Sequence, residues 1–127
     1  MSDAFLEHVN VTVSDPAATA KRLCDLFGWR IRWHGDAKYG GTTYHVGSDA
    51  SYVAVFSYTD ARDPAAESYE TKGGLNHIGV VVDDLGAVER KVVAAGYKPH
   101  SHADYEPGRR FYFHDEDGIE FEVVSYA

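Results

Sequence analysis

The sequence LEHVNVTV at residues 6–13 returns in altered form as LNHIGVVV at residues 75–82. Each copy places a histidine, His8 or His77, at the head of a run rich in β-branched residues, which favours a β-strand. Acidic residues follow each run, and a short pattern of apolar residues at helical spacing comes next. The repeated order of histidine, strand and helix predicts a chain built from two copies of one module.

Both predicted helices have start and end signals. The first begins at Asp15-Pro16, an N-cap candidate followed by proline, and Gly28 ends it. The second begins after Asp84 and ends at Gly96. The residues expected to face the sheets are Ala20, Leu23 and Phe27 in the first helix and Leu85, Val88 and Val92 in the second.

The ends of the two halves also match. Residues 41–58 align with residues 109–126 without a gap, and 5 of the 18 pairs are identical, among them Tyr44 with Tyr112. Each half is therefore predicted to contain a strand, a helix and three further strands. The expected class is α+β, with two βαβββ modules that contain mixed sheets and carry their helices on the outer faces. The predicted boundaries within one domain, 1–127, are module one at 1–58, a linker at 59–73 and module two at 74–127.

Composition limits the function. The 127 residues fit one domain, and 12 basic against 20 acidic residues give a net charge of −8, which argues against nucleic acid and anionic membranes as partners. No apolar run is long enough for a transmembrane helix, and residues 1–10 lack the pattern of a secretory signal. Cys24 is the only cysteine, which excludes an intrachain disulfide and fits a reducing cytoplasm. We therefore expect a cytoplasmic protein.

Strand periodicity places three candidate metal ligands. The alternating apolar residues of each module's first strand are expected to face the helix, which leaves His8 and His77 on the opposite face. In the last strand Phe121 and Val123 suit the helix side, so Glu122 faces the side that carries His77. Glutamate is depleted in strands and is costly to bury unpaired, so a metal or a cationic partner is expected beside it.

Two imidazoles and one carboxylate, His8, His77 and Glu122, make a 2-His-1-carboxylate set. Such a set leaves coordination positions open for substrate, and it suits Fe²⁺ or Mn²⁺, with Zn²⁺ or Ni²⁺ as alternatives. Ala54 stands where the first module would supply a fourth ligand. The competing interpretations are a vestigial site and a structural polar cluster.

Other residues on the same face are candidates for substrate contact. Tyr112 is either a catalytic acid beside the metal or an aromatic residue on a half-buried strand. Arg110 shares the parity of Tyr112 and is either a clamp for an anionic group or a surface charge. His100 and His102 are expected on one face, as a second metal site or a solvated edge. The inward-facing aromatic residues, which form either a wall for a flat ligand or core packing, are Tyr52, Phe56, Tyr58 and Tyr126.

These patterns together resemble the vicinal oxygen chelate superfamily, which includes glyoxalase I, extradiol dioxygenases, and fosfomycin- and bleomycin-resistance proteins. The stretches that carry the resemblance are LEHVNVTVSD, LCDLFGWRI, LNHIGVVVDD and RFYFHDEDGIEFEVVSY. The resemblance implies two βαβββ modules that form a cupped mixed sheet around a metal, with His8, His77 and Glu122 at ligand positions. It also implies a homodimer.

The resemblance does not single out one subfamily. Glyoxalase-I-like enzymes carry a metal-binding carboxylate at the position of Ala54, which this chain lacks. Tyr112 matches a tyrosine of extradiol dioxygenases, but residues 59–73 contain no acid/base histidine. Fosfomycin-resistance transferases have threonine at the position of Asn10. The expected function is a metal-dependent enzyme with dioxygenase or lyase/isomerase chemistry on a small substrate bound through vicinal oxygens. The alternative is a ligand-sequestering protein of the bleomycin-resistance type.

Overall fold

A computed structural model describes residues 3–105 and 108–127 of the chain. It contains two units, of which the first ends at Arg62 and the second begins at Asp63, so the division falls within residues 59–73. The first module contains β1 (His8–Thr12), α1 (Pro16–Phe27), β2 (Arg30–Asp36), β3 (Thr42–Gly47) and β4 (Tyr52–Phe56). The second contains β5 (Ile78–Val81), α2 (Leu85–Ala94), β6 (His100–Tyr105), β7 (Gly108–His114) and β8 (Glu120–Ser125).

Each module contains a mixed sheet of four strands, in the order β1-β4-β3-β2 in the first and β5-β8-β7-β6 in the second. The first strand runs parallel to the last one, and the other neighbours are antiparallel. The predicted α+β class with two βαβββ modules is therefore confirmed, and the duplication in the sequence corresponds to an identical strand order. No helix in the described part of the chain combines the length and hydropathy needed to cross a membrane.

The helices begin and end as the sequence predicts. Asp15 caps α1 by accepting a hydrogen bond from the amide of Ala18 at 3.1 Å, and Asp84 caps α2 in the same way at 3.0 Å. Gly28 ends α1 in the left-handed region at φ 69°, which a residue with a side chain rarely adopts. These caps fix where each helix begins and where α1 ends.

Each helix packs on one face of its own sheet, and the core lies between them. In α1 the expected Leu23 is buried, but Leu26 rather than Phe27 is the last buried residue. Phe27 is half-buried and packs against Trp29 instead, with 5.0 Å between ring centroids. In the second module the helix-facing residues of β7 and β8 are at most 1% exposed, and they are Phe111, Phe113, Phe121 and Val123.

The pairing of β3 with β4 and of β7 with β8 differs by one residue from the gap-free alignment of the two halves. That alignment matches Tyr44 with Tyr112, whereas the sheets pair Ala54 with His45 and Glu122 with Tyr112. His45 therefore occupies the position equivalent to Tyr112. The turn before the last strand is one residue longer in the second module than in the first, and this extra residue displaces the register.

Candidate functional site

The polar face of the second sheet follows from the alternation of β7 and β8. Because Phe111 and Phe121 face the helix, the residues between them face the other way. The register then places Tyr112 directly opposite Glu122 and His114 opposite Glu120. A face with this many ionisable side chains on regular strands is unusual for a structural sheet.

Glu122 is the centre of this face, and its side chain is only 14% exposed. One carboxylate oxygen, Oε2, accepts hydrogen bonds from Arg110 at 2.8 Å and from the hydroxyl of Tyr112 at 3.1 Å. The other oxygen, Oε1, lies 3.2 Å from Nε2 of His77. The structure thus brings His77, Glu122, Tyr112 and Arg110 together.

These contacts set the protonation of the neighbours of Glu122. The hydrogen bond to Glu122 raises the pKa of Arg110, which keeps the guanidinium charged. Burial first, and then the hydrogen bond to Glu122, raise the pKa of Tyr112. The phenol therefore stays protonated at neutral pH and acts as a hydrogen-bond donor. Arg110 also lies over the ring of Tyr105, at 5.1 Å from its centroid.

Tyr69 holds His77 from the other side. It lies in a short 3-10 turn, Ser68–Glu70, and its hydroxyl oxygen is 3.1 Å from Nδ1 of His77. The same hydroxyl donates its proton to Oε1 of Glu120, and this bond raises the pKa of Tyr69 to about 12. Because the one hydroxyl proton goes to Glu120, the oxygen of Tyr69 accepts a hydrogen bond from Nδ1–H of His77.

This arrangement leaves a lone pair on the remaining ring nitrogen of His77. In a neutral imidazole with its proton on Nδ1, Nε2 is an acceptor, and here it faces the acceptor Oε1 of Glu122 at 3.2 Å. Two acceptors at this distance repel each other unless a positive charge lies between them. A second ring proton or a metal ion meets that requirement.

His8 has a similar environment in the first module. Its Nδ1 lies 2.8 Å from a carboxylate oxygen of Glu7, which only accepts hydrogen bonds. Nδ1 therefore carries the proton and the lone pair of the neutral ring is on Nε2. A metal-ligating histidine commonly donates its other N–H to a carboxylate or a similar acceptor, so both histidines have the form that a metal needs.

The aromatic residues predicted to line a pocket in the first module have different environments. Tyr52 stacks on His8 at 4.8 Å and on His45 at 4.6 Å between ring centroids, with Arg32 also over its ring at 4.7 Å. Phe56 is half-buried at the end of β4. The ring of Tyr52 contacts His8, His45 and Arg32, so Tyr52 packs within its own sheet.

Two predicted pocket residues lie beyond the ends of the strands. Tyr58 follows β4, is 43% exposed and meets the ring of Tyr39 edge-on at 6.0 Å. Tyr126 follows β8 and is 61% exposed. Both tyrosines stay predictions as substrate contacts.

The expectation that His100 and His102 share a face is wrong. A β-bulge separates them, and Ser101 between them has φ 56°, so the strand turns over by one residue. His102 bonds Glu89 of α2 at 2.8 Å on the helix side. His100 lies on the opposite face, where its Nε2 is 3.1 Å from Nδ1 of His114.

Sequence patterns missed two members of this site. Tyr69 lies in the predicted linker, 59–73, and no periodicity in the sequence connects it with His77. Glu120 is two residues before Glu122 on β8 and so shares its face, but no pattern in the sequence gives it a role. The doubled glutamates of β8, at 120 and 122, are the signal that would have identified Glu120 as a member of the site.

The chain matches the sequence profile of the Glyoxalase/Bleomycin resistance protein/Dioxygenase superfamily over residues 5–123. It belongs to this superfamily. The match agrees with the resemblance that the two histidine-headed strands and the final strand carry. A search of curated proteins found no match.

Solved structures of this superfamily have the same fold. A glyoxalase/bleomycin resistance protein/dioxygenase domain from Frankia sp. EAN1pec is 18% identical, with a TM-score of 0.82 and coverage of 98% of this chain and 93% of that chain. The fosfomycin resistance protein FosX from Listeria monocytogenes, in complex with Mn(II) and sulfate, is 17% identical, with a TM-score of 0.74 and the same coverage. A glyoxalase I variant from Zea mays is 16% identical, with a TM-score of 0.73 and coverage of 92% and 43%.

Proposed function

We propose that the protein is a divalent-metal-dependent enzyme that holds its metal with His8, His77 and Glu122. The observation that carries the proposal is the approach of Nε2 of His77 to Oε1 of Glu122, two acceptors at 3.2 Å. Two ligands that each lie about 2.0–2.1 Å from one ion in a tetrahedral site are about 3.3 Å apart. The donor set therefore fits a metal, and Mn²⁺ or Fe²⁺ suits two imidazoles and a carboxylate.

A bound divalent cation would supply Lewis-acid stabilisation of negative charge on the substrate's oxygens. The chain's own residues prepare the site. Arg110 and Tyr112 hold Oε2 of Glu122, which leaves Oε1 as the ligand oxygen. Tyr69 fixes the ring orientation of His77. Tyr112, protonated at neutral pH, also offers its hydroxyl proton to a substrate oxygen that displaces its bond to Glu122.

The substrate is expected to be a small molecule with oxygens on adjacent atoms, converted by dioxygenase or lyase/isomerase chemistry. Ala54 provides no carboxylate for proton transfer of the glyoxalase I type, whereas Tyr112 provides a phenol beside the ligand Glu122. The Mn(II) complex of the structurally similar FosX supports a metal in this fold. We also propose a homodimer, which light scattering would test.

Manganese binding tests the metal centre. We expect about one Mn²⁺ per chain, measured by the loss of the free-ion electron paramagnetic resonance signal, and no binding by His77→Ala or Glu122→Ala. His34→Ala is the matched control, because His34 stacks on Tyr44 in the first module and is not one of the proposed ligands. A wild-type protein that holds less than about 0.1 equivalent after reconstitution would contradict the proposal.

One observation favours the alternative, a metal-free protein that sequesters a ligand. Arg110 already neutralises Glu122 at 2.8 Å, and such a pair satisfies a half-buried carboxylate without any metal. Under this alternative, chelator-treated protein would bind a planar apolar dye such as anilinonaphthalene sulfonate, and His77→Ala would bind it equally well. Binding that requires both metal and His77 would favour the enzyme.

A further inference from the structure

Three potential metal ligands meet on the second sheet outside the set proposed above. His100, His114 and Glu120 each offer one ligand atom, and these atoms all lie within 4.8 Å of one another. They belong to three neighbouring strands, β6, β7 and β8. The bulge at Ser101 brings His100 to this face, so the cluster depends on an irregular feature of the strand.

The separations between neighbouring residues of the cluster are of the size found around one ion. Nε2 of His100 is 3.1 Å from Nδ1 of His114, and the two rings stack with 5.0 Å between centroids. The other ring nitrogen of His114, Nε2, lies 3.6 Å from Oε2 of Glu120. His114 therefore turns one nitrogen towards each neighbour, and an ion held by all three residues would take one of the two. Ligands at about 2.0–2.1 Å from a tetrahedral zinc ion are separated by about 3.3 Å.

Neighbouring groups orient two of the three ligands. Tyr69 donates to Oε1 of Glu120, which leaves Oε2 on the side of His114. Ser101 bonds Nδ1 of His100 at 2.9 Å, which leaves Nε2 for the cluster. Such outer contacts fix the tautomer and rotamer of metal ligands. Glu120 is only 11% exposed, whereas His114 is 50% exposed, so an ion would have both an anchored carboxylate and access from solvent.

We propose that His100, His114 and Glu120 form a second divalent-cation site that takes a borderline ion such as Zn²⁺. Two imidazoles and one carboxylate are ligands that zinc accepts, and fewer than four protein ligands leave a position for water. The ion would join the edge strand β6 to β7 and β8. This site does not rest on the proposed function, because neither histidine belongs to the first set.

The test separates the two sites by using a His77→Ala background, in which the first set is broken. We expect this variant to bind one Zn²⁺ per chain in a competition titration against a chromophoric chelator. Adding His114→Gln or His100→Gln should weaken zinc binding by more than the 10–100-fold that loss of an outer contact costs. His102→Gln is the matched control, since His102 lies on the same strand but bonds Glu89 on the helix side.

Each outcome decides one proposal. Zinc binding in the His77→Ala background that survives both glutamine substitutions, or no zinc binding there at all, overturns the second site. Binding of one zinc by the wild type that is lost with His114→Gln but not with His77→Ala supports the second site and contradicts the first. Circular dichroism of every variant without metal should match the parent, which shows that lost binding reflects lost ligands. A variant that fails this check is replaced by His114→Asn, for which the same loss is expected.

Discussion

Nε2 of His77 lies 3.2 Å from Oε1 of Glu122, at a level of the sheet where the first module has only Ala54. The duplicated modules have therefore diverged in charge while keeping one topology. In the proposed ligand set, the first module would contribute the imidazole of His8, and the second would contribute an imidazole and a carboxylate. Arg110 and Tyr112 both attach to Glu122, so this carboxylate links the candidate metal centre to the packing of the second sheet.

A double-mutant cycle will measure this link. In chelator-treated protein, Glu122→Gln leaves Arg110 without its anion, and Arg110→Met leaves Glu122 without its cation, so each should lower the free energy of unfolding. The free energy of unfolding of the double variant should be no lower than that of the less stable single variant, because the double variant leaves neither charge unpaired. Urea denaturation provides the measurement.

The exposed pair Lys21–Asp25 on α1 is the control for this cycle. Its side chains are 77% and 64% exposed, so Asp25→Asn should change the free energy of unfolding by less than about 0.5 kcal/mol. Additive effects of Glu122→Gln and Arg110→Met would show that the two residues are not coupled.

Tyr69→Phe should weaken Mn²⁺ binding by about 10-fold, because it removes the oxygen that holds Nδ1 of His77. The change keeps the aromatic ring, so the unfolding midpoint should fall only slightly. Tyr39→Phe, at an exposed tyrosine of the first module, should leave Mn²⁺ affinity unchanged. If Tyr69→Phe and Tyr39→Phe bound Mn²⁺ with equal affinity, Tyr69 would not be positioning His77.

Periodicity predicted the parts of this site that lie on regular strands. The alternation of the last strand predicts that Glu122 faces away from the helix, because Phe121 and Val123 face it, and the observed register places Tyr112 directly opposite Glu122. The repeat likewise predicted that each module contains a strand, a helix and three further strands. Alternation is reliable here because burial of one face determines the direction of every side chain on the strand.

Irregular backbone accounts for what the sequence did not predict. The bulge at Ser101 reversed the expected relation of His100 and His102, and a turn longer by one residue displaced Tyr112 from its aligned partner. Tyr69 reaches His77 from a turn with no periodic pattern. Such contacts depend on loop geometry, which propensity and spacing do not encode.

Cys24 should react slowly with thiol reagents. Burial on α1 first, and then the charge of Asp25, raise the pKa of this thiol, whereas Lys21 lowers it. Since the thiolate is the reactive form, the rate with dithiobisnitrobenzoate at pH 8 should be below that of a cysteine peptide and should rise with pH. Asp25→Asn should increase the rate and Lys21→Met should decrease it. If the two substitutions changed the reaction rate in the same direction, the electrostatic explanation would be contradicted.

Two glycines of the second module should respond oppositely to alanine. Gly118 adopts φ 79° in the turn between β7 and β8, where its amide bonds the carbonyl of Asp115 at 3.0 Å. A Cβ there meets no atom within 4 Å, so the cost of Gly118→Ala is purely conformational, about 1 kcal/mol of unfolding free energy. Gly86 lies in α2, and a Cβ there would meet the flexible end of Arg90 at 3.4 Å and Oδ1 of Asp84 at 3.7 Å, which is an ordinary van der Waals contact.

Gly86→Ala should therefore stabilise the protein by up to about 1 kcal/mol, since alanine restricts the unfolded chain and favours the helix. Urea denaturation of both variants at neutral pH gives the comparison. Because the Gly118 turn sets the register of Tyr112 against Glu122, Gly118→Ala should also weaken Mn²⁺ binding, whereas Gly86→Ala should not. A destabilised Gly118→Ala protein with unchanged Mn²⁺ affinity would show that the strands hold the ligand geometry without help from the turn.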